Sequence, residues 1–388
     1  MKSTIEPFTI LFLGTQMEVA GAQRLLLAQA RWLHRKGYRV QAVFFYDKQG
    51  LQPTWQAANP FPVISLDGWK ENTPLLFNIP RLVGALLALF RLLKKDIKVI
   101  VTFTPHSNLL GLPLAWLARV PGRVGTHHGF ILGSSRWMSR LHGRLTNSRL
   151  CGAMVAVSAQ VREHAIRVEK AKDSKLVVIQ NGIEPLAQTV GTIMDRETIR
   201  EQLGVSANGL LLLTVGRLTV QKGHTVLLDV IAQIASRYPR ALFAFAGDGP
   251  QRSHLVAQAA RLGISDRVLF LGVRTDVANL LQAADIFVQP SLSEGLSIAL
   301  LEALFAGLPV VATRAGGVVD VVENGESALL VPTGDVQALA TALGQVLDDA
   351  SLRKRLAHTG QARAQANYSI EKMCKAYENL MKGLLLGT

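Results

Sequence analysis

Residues 210–224 read Leu-Leu-Leu-Leu-Thr-Val-Gly-Arg-Leu-Thr-Val-Gln-Lys-Gly-His. The apolar run is unbroken rather than alternating, as in a strand covered on both faces. It stops at Gly216-Arg217, and Lys222-Gly223-His224 then opens an amphipathic stretch. Strand, glycine turn and helix in that order make one unit of a parallel, doubly wound sheet.

The same alternation recurs on both sides. Strands are expected at 8–13, 40–45, 97–103, 123–127, 153–157 and 176–179, and again at 210–215, 241–246, 268–271, 286–289, 310–312 and 329–331. Two Rossmann-like α/β domains follow, 1–187 and 188–388, joined near 185–194, where the periodicity lapses. A last amphipathic helix, 368–385, carries Met373, Tyr377, Leu380 and Leu384 and could pack on either domain. Ligands of open parallel sheets sit beyond the carboxyl ends of the strands. Two such sheets would face one another across a cleft, with the functional residues just after strands.

Of 388 residues, 49% are hydrophobic and 18% charged, a globular composition without disordered bias. Cys151 and Cys374 form no metal-ligand or redox spacing, consistent with an intracellular chain with reduced thiols. The run 8–13 is too short for an export segment and is expected to be the first buried strand. The longest apolar helical stretch, 82–93, is broken by Arg91 and falls short of the roughly 20 residues that span a bilayer, so no crossing is expected. The net charge of +14 is one-sided: residues 1–190 carry 24 Lys and Arg against 10 Asp and Glu, and the remainder carries 18 of each. Such a field attracts anionic lipid headgroups, acidic substrates or nucleic acid.

Arg217 offers a planar fork of donors and Lys222 a compact cation, a pair suited to a diphosphate. Two solvated cations before a helix would look the same. A second loop, Pro290-Ser291-Leu292-Ser293-Glu294-Gly295-Leu296-Ser297, follows strand 286–289 and leads into an apolar helix bearing Glu302. Amides at that helix start would favour an anion, and Gly295 would let the backbone approach closely. Glu294 and Glu302 would stand about 12 Å apart if the segment were helical throughout. That is wider than the roughly 5–10 Å of paired glycosidase carboxylates. An acid within the otherwise apolar run 298–305 is unusual for a simple helix flank.

Gly216-Arg217 with Lys222-Gly223, Ala246-Gly247-Asp248-Gly249-Pro250, and the Glu294-to-Glu302 spacing closing on Gly307-Leu308-Pro309 together resemble glycosyltransferase family 4. The similarity runs from about residue 8 to 380 and is strongest between 210 and 335. It implies the GT-B fold and transfer of a sugar from a nucleotide-sugar with retention of configuration. It implies that Arg217 and Lys222 hold the donor diphosphate, Glu302 the ribose hydroxyls, and that Glu294 lies near the donor sugar. Gly272-Val273-Arg274 would read the base, largely through backbone. Gly247 and Asp248 would shape the site, and Gly295, Leu296 and Ser297 would line the donor loop.

The family often has a Gly-Gly pair after the first strand, where this chain has Ala20-Gly21-Ala22, so Gly21 alone would present its amide to phosphate. It usually has a His before the Gly that here is Gly129 in His127-His128-Gly129-Phe130, making His128 the expected sugar contact. Two adjacent histidines could also be part of a metal site, but no third ligand stands at useful spacing and His142 is too far along. Ser158 and Asn181-Gly182-Ile183 match family positions and read equally as a cap and a turn.

No Asp-x-Asp string occurs, so neither a metal ion nor a cofactor is expected, and Arg217, Lys222 and helix amides would neutralise the leaving group instead. At 136–149, Arg136, Arg140 and Arg144 alternate with Trp137, Leu141 and Leu145, as in a helix lying on a membrane. The basic stretch 80–98 reads instead as an ordinary Rossmann helix with a solvated edge. The expected partners are a nucleotide-sugar donor, UDP ahead of GDP, a lipid-linked or glycan acceptor, and an anionic membrane surface on the cytoplasmic side. No aromatic platform for nucleic acid is present. The competing readings are a soluble transferase acting on a free sugar or sugar phosphate, and an epimerase or hydrolase of the same fold.

Overall fold

The computed structural model describes residues 6–129, 136–184 and 194–387, and, of Arg136, the backbone. Phe130, the joint at 185–193 and the Arg136 side chain lie outside that description. The chain divides into two compact units, Met1–Gly182 with Ile370–Thr388, and Ile183–Ser369. Each is a parallel sheet with helices packed against it.

The first sheet has seven strands: β1 Thr9–Met17, β2 Arg39–Asp47, β3 Val63–Ser65, β4 Val99–Phe103, β5 Gly122–His127, β6 Ala153–Ala156 and β7 Leu176–Val178. Their order is β3-β2-β1-β4-β5-β6-β7, every pair parallel. Its helices are α1 Gly21–Arg35, α2 Gln52–Ala57, α3 Leu75–Leu93, α4 Pro105–Leu117, α5 Arg136–Asn147 and α6 Ala159–Arg167. Central strand β1 buries Ile10, Leu11, Phe12 and Leu13 completely, the signature of a strand covered on both faces. One core cluster joins Leu11 and Leu13 to Ala85, Leu89 and Leu93 of α3, Leu112 and Ala115 of α4, and Leu145 of α5. Helices α3, α4 and α5 therefore form one layer on one face of the sheet.

The second sheet has six strands: β8 Leu210–Val215, β9 Ala241–Ala246, β10 Val268–Gly272, β11 Ile286–Gln289, β12 Val310–Thr313 and β13 Leu329–Val331. Their order is β10-β9-β8-β11-β12-β13, again all parallel. Strand order reverses at β8–β11, the switch point where this architecture opens a crevice. Around it stand α7 Arg196–Gln202, α8 His224–Ile234, α9 Arg252–Arg261, α10 Val277–Ala283, α11 Ile298–Phe305, α12 Val318–Val321, α13 Val336–Asp348 and α14 Ala350–Asn367. Asp195, Asp335 and Asp349 cap α7, α13 and α14 by accepting from backbone N–H groups of the first turn.

The last helix, α15 Ile370–Leu386, settles the choice left open for 368–385. It belongs to the first unit, burying Ile370, Met373, Cys374, Tyr377 and Met381. The Tyr38 hydroxyl donates to Glu378 at 2.7 Å, and the Gly182 N–H to the Met373 sulfur at 3.2 Å. The chain thus returns to its starting unit, which a boundary drawn once along the sequence does not represent.

Candidate functional site

Two loops leave the carboxyl ends of β8 and β11 side by side. Gly216 follows β8 and Arg217 is exposed beyond it. A single 3-10 turn, Val220–Lys222, then leads through Gly223 into α8, whose start has no side-chain cap. Gly223 is left-handed, with φ +66°, and a Cβ there would stand 2.0 Å from the Pro290 carbonyl oxygen. Only glycine fits that approach. The Leu292 N–H donates to the Gln221 carbonyl at 2.9 Å, fastening the second loop to the first.

That closeness brings Lys222 to Glu294. Lys222 Nζ donates to Glu294 Oε1 at 2.6 Å, and Ser291 Oγ donates to the same oxygen at 2.6 Å. Glu294 is buried while Lys222 stays a quarter exposed, so the cation faces outward from a fixed carboxylate. The neighbouring His224 is buried, edge-on to Phe245, and burial followed by the charge of Lys222 lowers its imidazole pKa to about 4.

The Gly-Asp-Gly turn after β9 packs on the same loop. A Cβ on Gly247 would meet the Gly216 carbonyl oxygen at 2.0 Å, and one on Gly249 the Leu218 carbonyl oxygen at 2.5 Å. Asp248 accepts from the Leu218 N–H through its backbone carbonyl and stays exposed. Gly247 in turn donates to the Gly272 carbonyl at 2.8 Å, placing Val273 and Arg274 next in line. Val273 is exposed, and Arg274 is clamped by Asp276 through bonds of 2.7 and 2.6 Å. The hydrogen bonds that Arg274 donates to Asp276 raise its pKa.

The expected helical spacing of Glu294 and Glu302 does not hold. Helix α11 starts at Ile298, and Ser297 is its N-cap, accepting from the Leu300 N–H at 3.2 Å. Glu302 is therefore on the helix and Glu294 in the loop before it, so a rise per residue cannot be applied between them. The Ser297 hydroxyl is engaged as a cap. Gly295, Leu296 and Glu302 are buried beside it.

Gly21 and His128 stand in the first unit. Gly21 opens α1 directly after β1, with Ala20 as an N-cap that supplies no side-chain bond. His128 follows β5 and stacks on Phe103, ring centroids 5.0 Å apart. Its Nε2 is buried without a hydrogen-bond partner among the described residues, and burial followed by the charge of His127 lowers its pKa to about 3. At neutral pH it is an uncharged imidazole. Ser158 is the cap of α6, accepting from the Val161 N–H at 3.1 Å.

Beneath His128 lies a cluster that the sequence does not announce. His127 Nε2 is 2.7 Å from Glu169 Oε1, and His142 Nδ1 is 2.8 Å from Glu169 Oε2. Asn108 Nδ2 donates to the Thr126 carbonyl at 3.0 Å and stands 2.9 Å from His142 Nε2. That nitrogen therefore accepts, and His142 Nδ1–H donates to Glu169. The expectation that His142 lies too far along to join His127 is wrong, because the fold closes 15 residues of sequence through a shared carboxylate. The three could offer ligand atoms within 4.8 Å of one another, and both histidines already hydrogen-bond to Glu169, while His127 Nδ1 is buried without a partner among the described residues. Burial raises the Glu169 pKa, and the bonds from His127 and His142 outweigh it, bringing the group to about 2.

Comparison with known proteins bears on the family and the fold. The profile described as "Glycosyl transferases group 1" matches residues 195–363, and that of "Glycosyltransferase Family 4" matches 19–185. The chain is 29% identical over 372 residues to the UDP-Gal:alpha-D-GlcNAc-diphosphoundecaprenol alpha-1,3-galactosyltransferase of Escherichia coli, covering 90% of each. It is 34% identical over 301 residues to the D-inositol 3-phosphate glycosyltransferase of Corynebacterium urealyticum, covering 72% of this chain and 71% of that one. Among solved structures, Anabaena HepE in complex with UDP-glucose superposes with a TM-score of 0.84 at 27% identity, over 97% of this chain and 100% of that one.

Proposed function

The chain belongs to the group 1 glycosyltransferases of family 4, with the GT-B fold, and from that premise we propose a specific reaction. It moves a hexose or N-acetylhexosamine from a nucleotide-sugar, UDP ahead of GDP, to a lipid-linked or polysaccharide acceptor, retaining configuration and using no metal ion. The observation that carries this is the Lys222–Glu294–Ser291 array at the β8–β11 switch point. The UDP-sugar and lipid diphosphate in the name of the E. coli relative, and the UDP-glucose bound to HepE, support the donor and acceptor classes.

In this reading Arg217 and Lys222, with the uncapped start of α8, receive the donor diphosphate. Charge develops there as the sugar–phosphate bond breaks, and fixed donors lower the barrier most at that point. Glu294 holds Lys222 in place and contacts the sugar, while Glu302 takes the ribose hydroxyls. Neutral His128 exchanges a hydrogen bond with a sugar hydroxyl without adding charge. The acceptor hydroxyl attacks from the face the diphosphate leaves, and its proton passes to the departing phosphate oxygen. Bonds and protons then balance without a protein base. The enzyme works at the inner face of the cytoplasmic membrane, held there peripherally by the basic first unit.

The test supplies UDP-glucose, UDP-galactose, UDP-N-acetylglucosamine and GDP-mannose, each radiolabelled, with EDTA and a polyprenyl-diphosphate-linked sugar. Label from one UDP-sugar in the lipid phase, with an α anomeric proton by NMR, is expected. Label released only as free sugar would assign a hydrolase. A β product would overturn retention, and loss of transfer in EDTA would overturn metal independence.

A further inference from the structure

Helix α3 departs from the ordinary Rossmann helix that its sequence suggests. It starts at Leu75, ahead of Pro80, and runs 19 residues at a mean hydropathy of 1.7 with only 17% of its apolar window buried. Asn78, Ala85, Leu89 and Leu93 face the core. The opposite stripe, Leu76, Ile79, Val83 and Leu87, is 51–74% exposed, with Leu75 and Phe77 beside it. A helix that is apolar nearly all round belongs in a core or in lipid, and this one turns half of itself outward.

The rest of its layer continues the pattern. On α4, Trp116 and Leu117 are exposed, as are Trp137 and Leu141 on α5. Between them an apolar groove of about 520 Å³ is lined by Leu109, Leu110, Pro113, Trp137 and Leu141, with Arg144 at its edge. Helices α3, α4 and α5 contain no Asp or Glu at all. Exposed cations rim the surface: Arg81, Arg91, Lys94, Lys95 and Arg119, with Arg140 and Arg144. Of the nearby acids, Glu71 is matched by Lys48 and Asp96 by Arg39 and Lys98, and Asp67 accepts from Ser65.

We propose that the outer face of the α3–α4–α5 layer is a docking surface for an anionic bilayer, with α3 lying in the plane of the interface. Apolar side chains enter the headgroup boundary while the cations meet lipid phosphates. Spanning is ruled out by the fold, because α3 is fastened along its buried stripe and feeds β4 beside the central strand. A second copy of the chain is a poor occupant, since a two-fold contact would set one acid-free, cation-rimmed face against itself. The inference deepens the lipid-acceptor reading and rests on it only for the purpose of docking.

Sedimentation with vesicles tests it, using pure phosphatidylcholine against 7:3 phosphatidylcholine:phosphatidylglycerol. The wild type is expected to bind the anionic vesicles about ten-fold more tightly or better. L76Q/V83Q, which keeps the charge, should lose at least about ten-fold, and K94Q/K95Q about ten-fold at low salt. Both variants change exposed residues, so an unaltered melting temperature and an unaltered UDP-induced shift would show that fold and donor site are intact. Wild-type protein left in the supernatant, L76Q/V83Q binding as wild type, or a dimer dispersed by L76Q/V83Q would each overturn the docking surface. Vesicle binding without any response to UDP or GDP would instead strike at the donor reading and leave the surface standing.

Discussion

Glu294 and Glu169 are both buried carboxylates, each held by two hydrogen-bond donors, yet their partners differ in exposure. Glu294 gives one oxygen to both Lys222 and Ser291, and its cation partner reaches toward solvent. Glu169 gives one oxygen each to His127 and His142 and is closed in with them. The first arrangement can turn its cation toward an arriving anion without leaving the carboxylate bare. The second has no exposed partner to offer and serves to fix the segment under His128. A buried charge whose partner touches water leaves that partner open to a ligand, whereas one whose partners are all buried does not.

Substitutions can break or sharpen that contrast. Arg217→Ala and Lys222→Ala should each lower the transfer rate about 100- to 1,000-fold, measured at saturating acceptor. Arg217→Ala should leave the unfolding free energy little changed, whereas Lys222→Ala should also cost about 2 kcal/mol because buried Glu294 loses its cation. A loss below about ten-fold would take the diphosphate role from them. Glu169→Ala should do the reverse, costing about 3 kcal/mol in urea unfolding because two imidazoles lose a buried partner. Ser291→Ala should cost about 1.5 kcal/mol, the range of a hydrogen bond to a charged group. Acid gives the smallest effect per step. His128 at about 3 and His224 at about 4 lie below the 6.5 of a free imidazole, so the unfolded chain takes up protons that the native one refuses. Stability is full above that value and falls as pH drops through the window, by at most about 1.4 kcal/mol per pH unit for each ring. Melting temperatures recorded for wild type and His224→Gln should show the shallower slope in the variant; equal slopes would remove His224 from the account.

Glu294 and Glu169 also differ in how far the sequence foretells them. The donor loops are contiguous, so Arg217, Lys222 and Glu294 could be picked out within short stretches that follow strands. Strands buried on both faces write themselves as unbroken apolar runs, and 210–215, 241–246, 286–289 and 329–331 are observed with the expected limits. Strand β3, of three residues, is too short to leave such a mark. The cluster at Glu169 joins residues 27 and 42 positions apart, and no local pattern encodes that pairing. The distance reasoned for Glu294 and Glu302 failed because Ser297 starts the helix late. In α3, Pro80 reads as a helix start, while the helix already begins five residues earlier. Exposure of its apolar face is a property of the packing, which periodicity alone does not show.

The most direct test is to titrate UDP, GDP and ADP, in EDTA, against the melting temperature of the wild type and of Arg217→Ala. A ligand that binds only the folded state must raise that temperature. The account predicts a rise with UDP that survives the chelator and vanishes in Arg217→Ala. No rise with any of the three nucleotides, or an equal rise in the variant, would contradict a diphosphate site at the β8–β11 switch point.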